Sequence, residues 1–154
     1  LTETDPETAL DRIQPEAIDC LVSDYRMAEM DGLEFLRAVR AEFPELPFIF
    51  YTGKGSEDVA SEAISNDATA YVQKSTGTDD YELLLNRVRQ AVSRYRERVS
   101  YRELFENIGV GVCVRDIESY ELIEANQKYC DLLGYDRDEL RTLDLEALTA
   151  DHEG

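Results

Sequence analysis

Histidine is almost missing from this chain. Its 154 residues hold one, His152, two positions from the end. That excludes most histidine-based catalysis, and a phospho-accepting histidine would have to lie outside these residues. Lysine is nearly as scarce: Lys54, Lys74 and Lys128 are the only three, and every other basic residue is arginine. The three cysteines, Cys20, Cys113 and Cys130, are far apart, odd in number and without metal-ligand spacing. Each sits among apolar residues, which predicts buried hydrophobes rather than ligands. No apolar run approaches the ~20 residues of a membrane span, and no signal-peptide pattern opens the chain. It begins with Leu1 rather than Met. A cytoplasmic piece of a longer or processed protein, with no membrane partner, is the expectation.

What is abundant is negative charge. Thirty-four acidic residues against sixteen basic ones give −18. Such a surface repels nucleic-acid phosphates, so no nucleic-acid partner is expected. Acidity, scarce lysine and preferred arginine occur together here. That combination resembles the surfaces of halophile proteins, where hydrated carboxylates keep proteins soluble in high salt.

Strand-like and helix-like segments alternate. Residues 6–13 read as a helix, with Asp5 as N-cap and Pro6 at its first position. Residues 18–23 (IDCLVS) read as a buried strand. In residues 32–43, Leu33, Leu36, Val39 or Arg40, and Phe43 share a helical face, and Pro44 and Pro47 end that helix. Residues 48–51 (FIFY) form a second strand. A polar loop follows, with Ser56 as N-cap for a helix over 57–65, and residues 70–73 are a third strand. This is the pattern of an α/β, doubly wound parallel sheet with right-handed crossovers.

One long helix is predicted from near Asp79 to about Arg102. Leu84, Val88, Ala91, Tyr95 and Val99 form its apolar seam. From Leu85 to Arg102 it carries six arginines and one acid, Glu97. A DNA-binding helix is one reading. The seam argues instead for a packed or paired connector with a solvated arginine face. Beyond it the pattern changes to two strands joined by a turn near Ile117–Ser119. Then come a helix capped by Asn126 and ended at Gly134, and a second helix opened by Asp136 and Glu139. A boundary therefore falls near Ser100, separating residues 1–98 from residues 99–154.

Three polar residues stand at the ends of the first three strands: Asp24, Thr52 and Lys74. Doubly wound folds place their ligand sites at these ends. If the strands are neighbours, their tips are spaced by roughly 5 Å per step. A carboxylate there can attack a phosphoryl group and hold it as an acyl phosphate. A lysine and Mg²⁺ would offset the anionic charge, and a hydroxyl would donate to it. Taken singly, Asp24 is equally a turn cap, Thr52 a strand end and Lys74 a surface charge.

The stretches VSDYRMAEMDGLEFLR, FIFYTGKG and AYVQK resemble the receiver (CheY-like) domain of two-component response regulators, over residues 1–98. The resemblance implies a flavodoxin-like sheet and a role for each matching residue. Asp24 would be the phospho-acceptor. Thr52 would hydrogen-bond the phosphoryl group, Lys74 would pair with it, and Tyr71 would be the aromatic that rotates inward. Met30, Asp31 and Gly32 match the turn that opens the next helix. Mg²⁺ would be held by Asp24 and the main-chain carbonyl of Arg26. The first strand of such a domain, with its acidic pair for Mg²⁺, has no counterpart from Leu1 onward. The sheet is therefore expected to be incomplete, the metal site partial, and strand 18–23 an exposed edge. Ala28 and Ser75 stand where the family usually has proline.

Residues from LFENIGVGVCVRD through YELIEANQKYCDLLGYDRDEL are similar to the start of a PAS domain, a partial α+β unit. No cysteine motif for flavin attachment and no placed haem ligand is present, so a structural or partner-binding portion is expected. An unrelated small α+β piece is the other reading. Three functions follow. The first is phosphorelay signalling, with a histidine kinase or phosphotransfer protein as partner and a homodimer through the connector helix or PAS portion. The second is the front of a hybrid histidine kinase whose catalytic core lies beyond Gly154. The third is a non-phosphorylated pseudo-receiver scaffold.

Overall fold

The computed structural model describes residues 2–15, 17–27, 30–53, 57–74 and 79–143. Two compact units emerge, Leu1–Arg98 and Val99–Gly154.

The first unit is built on three parallel strands, β1 (Leu21–Ser23), β2 (Phe48–Thr52) and β3 (Ala70–Gln73), in the order β1-β2-β3. Leu21 pairs with Phe48, Ile49 with Ala70 and Thr52 with Gln73. Among the described residues β1 stands at an edge of the sheet, as expected of it, and Val22 on it is 47% exposed. Pairing begins only at Leu21, not at residue 18, because its partner strand begins at Phe48. The Leu21 amide donates to the Pro47 carbonyl at 2.8 Å, and residues before it have no ladder to join.

Helices α1 (Pro6–Asp11), α2 (Gly32–Glu42), α3 (Glu57–Ser65) and α4 (Asp79–Asn107) accompany the strands. Asp5 caps α1 through the Thr8 amide, and α1 stops at Asp11 rather than residue 13. Asp31 caps α2, with Glu34 closing a capping box. Leu33, Leu36 and Val39 are buried as the helical face predicted, and so is Phe35. The choice between Val39 and Arg40 resolves in favour of both. Val39 packs in the core, while the Arg40 guanidinium donates to the carbonyls of Phe43, Leu46 and Asp67.

The two faces of the sheet bury different clusters. Phe48 and Phe50 join Leu33, Phe35, Leu36 and Val39 on one face, and Ile49 and Val72 join Leu84, Val88 and Ala91 of α4 on the other. Leu84, Val88 and Ala91 of the α4 seam are therefore spent against this unit's own sheet. Arg96 and Arg98 are exposed, as predicted of the arginine face, and each also makes an ion pair: Arg96 with Asp19 at 2.5 Å and Arg98 with Glu45 at 3.8 Å.

The second unit holds β4 (Cys113–Arg115), β5 (Leu122–Ala125), α5 (Gln127–Leu133) and α6 (Arg137–Thr142). The strands are antiparallel. Asp116 makes their turn by accepting from the amides of Glu118 and Ser119. Helix α4 ends at Asn107, five residues past the predicted end. Asn126 caps α5, Gly134 ends it at φ 78°, and Asp136 with Glu139 boxes the start of α6. Asn126 does more than cap. Fully buried, it accepts from the amides of Val112 and Tyr129 and donates to the carbonyls of Phe105 and Val110. Cys130 is buried, as expected of the cysteines, but Cys20 and Cys113 are only partly so. Ser56, Ala28, Ser75 and His152 lie outside the described residues.

Candidate functional site

The ends of β1, β2 and β3 bring the three predicted residues together. Asp24 immediately follows β1, and Lys74 immediately follows β3. Thr52 is the last residue of β2 rather than the first beyond it. The Lys74 amide donates to the Thr52 carbonyl at 2.8 Å, which extends the ladder by one bond and aims the lysine across the strand ends. Its Nζ reaches Asp24 Oδ2 at 2.7 Å, across fifty positions of sequence. Both side chains are well over one-third exposed, 38% for Lys74 and 40% for Asp24, so the pair is open to a reactant from solvent. Thr52 is 1% exposed and hydrogen-bonds the same carboxylate.

The other carboxylate oxygen, Asp24 Oδ1, accepts from the main-chain amides of Tyr25 at 2.7 Å and Arg26 at 3.3 Å. The turn after β1 thus folds back onto the carboxylate and holds it as an acceptor. Asp24 is both the turn cap and the partner of a lysine. Partial burial pushes its pKa up, but the hydrogen bonds from Lys74, Thr52, Arg26 and Tyr25 outweigh that and leave it below the usual carboxylate value. Asp24 is therefore held as an anion.

Gly32 closes the site from behind. Its amide donates to the Tyr25 carbonyl at 2.8 Å, tying the start of α2 to the Asp24 turn. Tyr71 lies on β3 with its ring 6.4 Å from that of Phe50. Its hydroxyl is buried and has no hydrogen-bond partner among the described residues. Burial, then the nearby Asp24 and Tyr25, push its pKa up. The ring expected to rotate inward already lies inward here.

Two aromatic residues escaped the sequence reading. The Lys74 ammonium lies 5.0 Å from the centroid of the Tyr51 ring, and that ring is 6.0 Å from Tyr81 of α4. The signal available in the sequence was strand alternation, which puts Tyr51 on the face opposite Phe50. A groove of about 530 Å³ lined by Arg40, Arg87, Arg94 and Arg98 opens at the other ends of β2 and β3, beside Pro47 and Thr69, away from Asp24.

For Mg²⁺, the candidates are the Asp24 carboxylate and the Arg26 carbonyl. No group of three His, Cys, Asp or Glu side chains able to hold a metal exists among the described residues. One carboxylate, with an oxygen already taken by two amides, does not by itself meet an octahedral oxygen shell. Among the described residues, no helix is long and apolar enough to cross a membrane.

Comparison with known proteins identifies the families of the two units. A family model for the response regulator receiver domain matches residues 2–89, and one for the PAS domain matches residues 100–153. The DNA-binding transcriptional regulator NtrC of Proteus hauseri is 35% identical over 89 residues, 58% of this chain and 18% of that protein. The bacterioopsin transcriptional activator of Halobacterium salinarum is 27% identical over 150 residues, 86% of this chain and 22% of that protein. That relative comes from a halophile, which fits the halophile-like composition of this chain. The chain spans about a fifth of the length of these curated relatives. A response regulator receiver domain protein from Clostridium thermocellum shares the fold, with a TM-score of 0.55 at 24% identity over 62% of this chain and 75% of that one.

Proposed function

This chain belongs to the response regulator receiver family and continues into a PAS domain, and on that premise we propose that Asp24 accepts a phosphoryl group. Receiver and PAS domains together fit two-component phosphorelay signalling. The observation that carries the assignment of Asp24 is the 2.7 Å pair with Lys74, completed by Thr52 at the neighbouring strand end.

The step is a displacement at phosphorus. A carboxylate oxygen of Asp24 forms the new P–O bond while the bond from phosphorus to the donor breaks, and its electron pair leaves with the donor. Receiver domains interact with histidine kinases or phosphotransfer proteins, so the donor proposed here is a phosphohistidine nitrogen, which then takes up a proton. The anionic form of Asp24 is the nucleophilic one, and the hydrogen bonds that depress its pKa keep it so. Lys74 offsets the incoming negative charge, and Thr52 turns its hydroxyl to the phosphoryl oxygens. Receiver domains generally bind Mg²⁺ for this reaction. Asp24 and the Arg26 carbonyl would be two of its ligands, and they do not fill its shell.

The change at Asp24 passes along α4 to the PAS portion, which is read as an interaction or sensor module. A homodimer through α4 or the PAS portion fits the exposed Leu83 and Leu85 of α4 and Ile123 of β5. The alternative reading is a scaffold that is not phosphorylated.

The test is phosphate-affinity electrophoresis of the natural full-length protein after incubation with acetyl phosphate and Mg²⁺. The wild type is expected to give a retarded band and Asp24→Asn none. A wild type with no retarded band leaves the scaffold reading, and a band that survives Asp24→Asn moves the acceptor elsewhere.

A further inference from the structure

Among the described residues the Lys74 ammonium meets both a carboxylate and a ring, and the proposed phosphoryl transfer uses only the carboxylate. The ammonium touches Asp24 at 2.7 Å and faces the Tyr51 ring 5.0 Å from the centroid. A cation at that distance is drawn to the electron-rich face of the ring. Strand alternation explains the placement. Phe50 and Tyr71 face the α2 side of the sheet, whereas Tyr51 and Val72 face α4. Lys74, two positions beyond Val72, shares the parity of the α4 side. Tyr51 there meets Tyr81, the third residue of α4. The rings are 6.0 Å apart at 55°, and the two side chains are hydrogen-bonded. One ring thus stands between the lysine of the site and the first turn of α4.

We propose that Tyr51 is a positioning residue that holds the Lys74 ammonium at Asp24 and, through Tyr81, couples the state of Asp24 to the first turn of α4. This rests on Asp24 being the acceptor. A phosphoryl group there adds negative charge beside the ammonium and draws it off the ring. Tyr51 is then freed to change its contact with Tyr81. The coupling runs on the α4 face of the sheet, separate from Thr52 and Tyr71 on the other face.

The test uses the natural full-length protein with acetyl phosphate and Mg²⁺, and a fluorine label on the Tyr81 ring alone. Tyr51→Leu is expected to slow Asp24 phosphorylation about two- to fivefold, the worth of an exposed cation–ring contact, and Tyr51→Phe to restore it. The Tyr81 fluorine resonance is expected to shift on phosphorylation in the wild type and to stay fixed in Tyr51→Leu. A merely structural role for Tyr51 would not move that signal. Tyr51→Leu phosphorylated at the wild-type rate overturns the positioning role. A Tyr81 shift that survives loss of the Tyr51 ring overturns the coupling. A wild type that accepts no phosphoryl group refutes the acceptor reading instead. The contact is then judged by a fluorine label on Tyr51: Lys74→Met must move its resonance, and an unmoved signal overturns the contact as well.

Discussion

Replacing Gly32 with alanine is expected to destabilise the receiver unit and disturb the Asp24 turn in one stroke. A Cβ at Gly32 would lie 2.7 Å from Phe50 Cε1, 2.9 Å from the Asp24 carbonyl oxygen and 2.9 Å from the Tyr25 Cα. Comfortable heavy-atom contacts begin near ~3.5 Å. Two of these atoms are main chain. The third belongs to a fully buried ring packed 5.0 Å from Phe48 and 6.1 Å from Tyr25, so it has no room to swing. Backing the helix away would stretch the 2.8 Å bond from the Gly32 amide to the Tyr25 carbonyl. Overpacking of this kind costs about 1–3 kcal/mol, and alanine's better helix propensity returns at most about 1. The net is a loss of up to about 2 kcal/mol, a factor of up to roughly 30 in the folding constant. Gly53→Ala is the control. Its Cβ would meet Lys74 side-chain carbons at 3.9 Å, an ordinary contact, and a change within about 0.5 kcal/mol is expected. Urea denaturation followed by far-UV circular dichroism measures both. If Gly32→Ala is as stable as the wild type, or Gly53→Ala falls equally far, the steric argument is wrong.

Asn126→Asp should unfold the second unit's hairpin. The amide group that donates to Phe105 and Val110 at 3.0 Å would become a carboxylate facing two carbonyls, at a cost above about 3 kcal/mol. Hydrogen exchange at the Val112 and Tyr129 amides reads this, and retained protection contradicts it. Lys74→Met removes a donor that depresses the pKa of Asp24, so the carboxyl titration midpoint should rise in carbon-13 NMR. A midpoint that stays or falls means Lys74 is not the donor. Because the native pKa of Asp24 is depressed, its stabilising effect is full above the unfolded value. That effect is lost as pH falls through the native one, and Lys74→Met should weaken this acid dependence. Burial, with Asp19 beside it, pushes the Cys20 thiol up to about 11. At pH 8 only about one Cys20 in a thousand is thiolate, so alkylation by iodoacetamide should be about a hundredfold slower than for a free thiol. Peptide mapping that finds Cys20 labelled at the free-thiol rate contradicts the burial.

Much of the candidate site was legible because its residues sit at strand ends. Strand ends are marked by where apolar runs stop, and LVS before Asp24, FIFY before Thr52 and AYVQ before Lys74 all stop visibly. The parts that were not legible depend on pairing. Residues 18–20 have the composition of a strand yet join no ladder, since a strand exists only opposite a partner and Phe48 begins that partner. The apolar seam of α4 was visible, but whether it met another copy or its own sheet depended on where Ile49 and Val72 stood. The ion pairs of Arg96 and Arg98 were hidden for the same reason: Asp19 and Glu45 are 77 and 53 positions away in sequence.

By itself the sequence determined the local devices. Asp5 with Pro6, Asp31 with Glu34, Asn126 with Gly134 and Asp136 with Glu139 begin or end their helices as read, because caps act over three or four residues of backbone. It also determined the alternation that makes a parallel sheet, and the acidic surface. Only the tertiary structure decided that Lys74 reaches Asp24 while facing Tyr51, that Tyr71 is already turned inward, and that Asn126 ties α4 and the strand segment to α5. Each is a contact between elements distant in sequence. Its geometry depends on how parallel strands stagger and which face a side chain takes, and composition carries neither.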